Sequence, residues 1–63
     1  MHNLTDKQLD FLKNERKVLR KQFANACKEK GFNSIEARYF DGKSDGLLET
    51  LLYLGVTLQE LNS

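Results

Sequence analysis

A chain of 63 residues with formal net charge +1, 30% charged residues, no Pro and one Cys has room for a single small domain at most. The lone Cys27 excludes an internal disulfide and a cysteine-based zinc site, so helix packing or self-association must supply stability. No apolar run approaches the ~20 residues of a membrane span, and no basic stretch followed by an apolar one opens the chain, so a soluble cytoplasmic protein is expected.

Thr5-Asp6-Lys7-Gln8 reads as a capping box that opens a first helix, with Asp6 in the first turn and Leu4 placed to staple onto Leu9. Projected at about 100° per residue, Leu4, Leu9, Phe11, Leu12, Val18, Leu19, Phe23, Ala26 and Cys27 share one half-circle, into which Gln8, Glu15, Arg16 and Gln22 intrude. Asp6, Lys7, Asp10, Lys13, Asn14, Lys17, Arg20, Lys21, Asn25 and Lys28 fill the other half. Gly31 predicts a stop near Lys30, as a left-handed C-terminal cap with Phe32 in apolar contact behind it.

Asn33 and Ser34 offer caps for a second helix. Gly42 and Gly46 cost about 1 kcal/mol each in a helix interior relative to Ala, which favours a break at Asp41–Gly46. The periodicity favours continuity. Ala37, Phe40, Ser44, Leu47, Leu48, Leu51 and Leu54 form one stripe through this region, and Ile35, Tyr39, Gly42, Gly46 and Tyr53 form a second on the opposite side. A loop would have no reason to keep both stripes in phase, so a helix from about Ser34 to Leu54 is expected. Gly55 with Val56 reads as its terminator, and Thr57-Leu58-Gln59-Glu60 as a capping box for a final turn through Leu61. The fold expected is all-α: an antiparallel helical hairpin, about 5–30 and 34–54, with a short C-terminal turn, in one domain over residues 1–63.

Charge is unevenly spread. Residues 13–30 carry seven basic side chains against Glu15 and Glu29, whereas residues 31–63 carry Arg38 and Lys43 against five acids. That asymmetry favours antiparallel self-association or an anionic partner.

The motifs that could carry chemistry fail at specific positions. Gly42-Lys43-Ser44 resembles the end of a phosphate-binding loop, but Ala37 stands where its first Gly is needed and the chain is too short for the sheet around it. Asp41-x-Lys43-x-Asp45-Gly46 is spaced like a calcium loop, yet Lys43 and Leu52 replace two of its oxygen ligands. His2 lies in a terminus expected to fray, without a second ligand, and Cys27 sits at the edge of the apolar arc as a structural thiol. Leu54-Gly55-Val56-Thr57 looks like the turn of a helix-turn-helix, but the helix that follows is about four residues long and holds no Lys or Arg. No enzyme activity, metal or cofactor is expected.

The hairpin plan is similar in length and pattern to the plasmid-copy-number proteins that dimerise into four-helix bundles. It is also similar in plan to the small aspartyl-phosphate phosphatases of the sporulation relay. Ser44-Asp45-Gly46-Leu47-Leu48 lacks the Gln and Glu of the phosphatase signature, so that activity is not carried over. The nine residues Tyr39–Leu47 loosely resemble segments of short uncharacterised proteins of phages and prophages; the resemblance implies no activity, and the role it would suit is a small regulator or inhibitor of a host protein.

A hairpin buries one side of each helix, so the second stripe is left over. Ile35, Tyr39, Gly42, Gly46 and Tyr53 are therefore expected at a protein interface, with assembly of copies into a multi-chain helical bundle. The alternative is that Leu58 and Leu61 fold back over part of that stripe. The basic face of the first helix, with Lys13, Lys17, Arg20, Lys21 and Lys28, is the second candidate surface, for a nucleic acid or an anionic nucleotide. The expected partners are other copies of the chain and another protein, with nucleic acid as the competing class and no membrane.

Overall fold

The computed structural model describes residues 2–62, which form α1 (Asp6–Lys30), α2 (Ile35–Tyr53) and α3 (Leu58–Leu61). Thr5 caps α1: its Oγ1 accepts the Gln8 amide at 3.1 Å, while Gln8 Oε1 accepts the Thr5 amide at 3.0 Å. The box is closed in both directions, and Lys28 and Lys30 complement the dipole at the far end.

Gly31 ends the helix with φ +98° and ψ 155°. The positive φ is as expected, but the backbone is extended rather than left-handed, in a region that is essentially glycine's alone. The chain then reverses tightly, with the Gly31 carbonyl accepting the Ser34 amide at 3.1 Å. Phe32 meets Phe23 edge-on, with ring centroids 6.2 Å apart.

Ser34 starts α2 by accepting the Ala37 amide at 3.1 Å. The helix runs unbroken through Asp41–Gly46. Ala37, Ser44 and Leu51 on its inner stripe are buried, and Phe40, Leu47 and Leu48 are half-buried. Packing of that stripe along α1 offsets the local cost of the two glycines. Leu54 departs from the expectation. It is the C-cap, where the helix ends, and its side chain is largely exposed.

The turn after α2 is a complete Schellman motif. Gly55 has φ +96°, its amide donates to the Leu52 carbonyl, and the Val56 amide donates to the Leu51 carbonyl, both at 3.0 Å. Thr57 and Glu60 then close the second capping box, which turns α3 back onto the hairpin. Leu61 drops into a core with Leu51 and Val56, and Leu4, Leu9, Leu12, Leu47 and Leu48 pack around it. The deepest core thus sits at the open end of the hairpin, where the start of α1 meets the end of α2.

One neighbouring helix covers only part of a half-circle. Phe11 and Val18, on the flank of the apolar arc of α1, are consequently exposed. Arg16, which intrudes on that arc, is half-buried, and its Nε is sealed from solvent with no hydrogen-bond acceptor among the described residues. The molecule measures 38 × 17 × 16 Å and exposes 4964 Å². A compact monomer of this mass would expose about 4,200 Å². Among the described residues no helix is long and apolar enough to cross a membrane.

Candidate protein interface

The outer face of α2 is built by the same periodicity that builds its inner face. Ile35 and Tyr53, 18 residues apart, stand five turns apart on one line of the helix. Tyr39, Gly42 and Gly46 lie between them. All five expected interface residues are exposed: Ile35 at 85%, Tyr39 at 56% and Tyr53 at 90% are among the most exposed large side chains of the chain. A methyl group added at Gly42 or Gly46 would meet no atom within 4 Å beyond the helix's own neighbouring backbone. The two glycines therefore leave a bare patch of backbone between flanking rings. The Thr50 hydroxyl, donating to the Gly46 carbonyl at 2.9 Å, secures one of the backbone groups there.

The side chains around this patch are partly organised. Tyr39 contacts Phe40 edge-on at 5.3 Å, and the Lys43 ammonium lies 5.2 Å from the centre of the Tyr39 ring. Leu61 folds back, but into the core at the end of the hairpin, and Leu58 points to solvent. The C-terminal turn leaves Tyr53 uncovered.

The second candidate surface is divided. Lys17, Lys21 and Lys28 are exposed along α1, and Lys13 is half-buried. Arg20 turns toward α2 and pairs with Asp41 at 3.0 Å, with its guanidinium carbon 4.6 Å from the centre of the Phe23 ring. Part of the charge asymmetry is thus spent inside the hairpin, across the interface of the two helices. The expected five-residue basic face becomes an outer row of lysines with one arginine committed elsewhere.

His2 differs from the fraying terminus expected. Its Nδ1 accepts the Leu4 amide at 3.2 Å, which leaves the proton on Nε2 to donate to Glu60 Oε2 at 2.8 Å. No periodicity signals a contact across 58 residues; only the fold brings the two ends together. Glu60 also accepts the Thr57 amide, and this bond, followed by that from His2, holds its carboxyl down to about 2.

Comparison with protein-family models, with curated proteins and with solved structures finds no match. The surface must speak from its own chemistry. Among the described residues no group of three or more His, Cys, Asp or Glu is placed to hold a metal. A shallow groove of about 560 Å³ runs along the first turns of α1, between Leu4, Phe11 and Leu12. Lys7 is its one ionisable lining residue, so it offers no acid–base pair.

Proposed function

We propose that this protein is a small non-enzymatic regulator that acts by docking the outer face of α2 on another macromolecule, a protein. One observation carries the reading: two glycines at i and i+4 leave bare backbone in the middle of a continuous helix, flanked by exposed Ile35, Tyr39 and Tyr53. Glycines in a helix interior weaken it, and here nothing among the described residues uses the space they leave. A close-approaching partner uses it. Aromatic side chains beside such a patch are the usual anchors of protein interfaces. A regulator or inhibitor role, the one a phage-type protein of this size would suit, is consistent with the exposed outer face of α2.

The test is site-specific photocrosslinking in cells. A benzophenone side chain at Tyr53 or Tyr39 is expected to give discrete adducts, and Gly46→Arg, which fills the bare patch, is expected to abolish them. Absence of adducts at both positions, or adducts unchanged by Gly46→Arg, would remove the outer face of α2 from consideration.

A further inference from the structure

We infer that the occupant of this face is a second copy of the chain, laid antiparallel so that the two α2 helices meet, through the sides opposite their buried Ser44, about a two-fold axis at the level of Ser44. The inference rests on the docking reading above and names its partner. It comes from a symmetry within α2. Ile35 and Tyr53 are equidistant from Ser44, and so are Gly42 and Gly46. In an antiparallel pair centred there, Ile35 meets Tyr53 of the second copy at each end, and Gly42 meets Gly46 of the second copy at the middle. Large side chains then fill the ends while the bare backbones approach at the crossing, which is how an isologous contact becomes self-complementary.

Charge follows the same centre. Arg38 and Glu49 are equidistant from Ser44 to within one residue and lie about 20° apart on one edge of the face. In an antiparallel pair like edges meet, so each Arg38 comes opposite Glu49 of the other copy, twice over. Both are exposed, and neither has an ion-pair partner among the described residues. On the other edge Lys43 would approach its own symmetry mate, but it is drawn over the Tyr39 ring. In a parallel pair opposite edges meet, so Arg38 and Glu49 of the two copies would lie on different sides of the contact and could not pair.

Area agrees with this. The chain exposes about 800 Å² more than a compact monomer of its mass, which is the share one partner contributes to a standard interface. Pairing through α2 leaves α1 on the outside of both copies and makes a four-helix assembly.

The experiment is sedimentation equilibrium of the intact chain, with helix content followed by circular dichroism. The wild type is expected to sediment at twice its 7.3 kDa. Arg38→Glu and Glu49→Arg are each expected to weaken the dimer roughly tenfold or more, and the double swap to bring it back within about threefold of wild type. In a Cys27→Ser background, Ile35→Cys with Tyr53→Cys is expected to give a disulfide-linked dimer, and neither substitution alone to do so. Crosslinking by a single cysteine, or a double charge swap no better than the single ones, would overturn the antiparallel register. A monomer at millimolar concentration would overturn self-pairing. In that case photocrosslinking at Tyr53 to a different protein would leave the docking reading standing, and its absence would end both.

Discussion

The Val56 amide donates to the Leu51 carbonyl at 3.0 Å, and the two side chains are among the most deeply buried of the chain. One hydrogen bond therefore ends α2 and delivers a second apolar residue to the core that Leu51 anchors. Gly55 makes the turn with φ +96°, a conformation that costs an L-residue about 1–2 kcal/mol.

Gly55→Ala is accordingly expected to lower unfolding stability by about 1–2 kcal/mol, and Leu51→Ala by about 2–5 kcal/mol. A domain of this length has only about 3–9 kcal/mol in hand, so Leu51→Ala should be largely unfolded at 37 °C. Urea denaturation followed by circular dichroism checks both. An unchanged midpoint for Gly55→Ala would mean that the turn is not strained by a side chain.

Gly42→Ala and Gly46→Ala should act in opposite directions on folding and on association. Each removes backbone entropy from the unfolded chain and adds a methyl that meets nothing, so the dilute monomer should gain about 0.5–1 kcal/mol. In the proposed dimer the same methyl would stand between the two approaching backbones, so association should weaken. Thermal melts at low concentration beside sedimentation at high concentration separate the two effects. A destabilised monomer would show that the patch is already filled within the chain.

Arg16→Met keeps the apolar stem of the side chain and removes the sealed, unpartnered Nε. A buried unpaired donor costs about 1–3 kcal/mol, so the variant should match wild-type stability or exceed it by up to about 2 kcal/mol. A loss above about 1 kcal/mol in urea unfolding would show that the guanidinium makes a contact worth more than its burial costs.

Glu60 sets a pH dependence at the junction of the two termini. Its folded value of about 2 lies below the ordinary 4.5, so its ionised form favours the folded state. That contribution is complete above pH 4.5, shrinks as the pH falls below it, and is gone once the pH passes below about 2. Methyl resonances of Leu61 and Val56 should report loosening of α3 over this interval. Glu60→Gln, which keeps an acceptor for the Thr57 amide but no charge, should flatten the response; an unchanged response would assign it to another acid.

Most of the fold was legible because helices announce themselves locally. Both capping boxes, the glycine after each of the two long helices and the unbroken phase of two stripes in α2 are relations between residues within a few turns of one another. The outer face of α2 was legible for the same reason, since the period that assigns Ala37, Ser44 and Leu51 to the inside assigns Ile35, Tyr39 and Tyr53 to the outside. Only the tertiary structure could decide what depends on how two helices are set against each other. The offset and rotation of α1 on α2 leave Phe11 and Val18 in solvent, turn Arg20 to Asp41, seal Arg16 Nε and bring His2 to Glu60. A one-dimensional pattern states which side of a helix is apolar; it does not state how much of that side one neighbour covers, nor which distant residue lies across the gap.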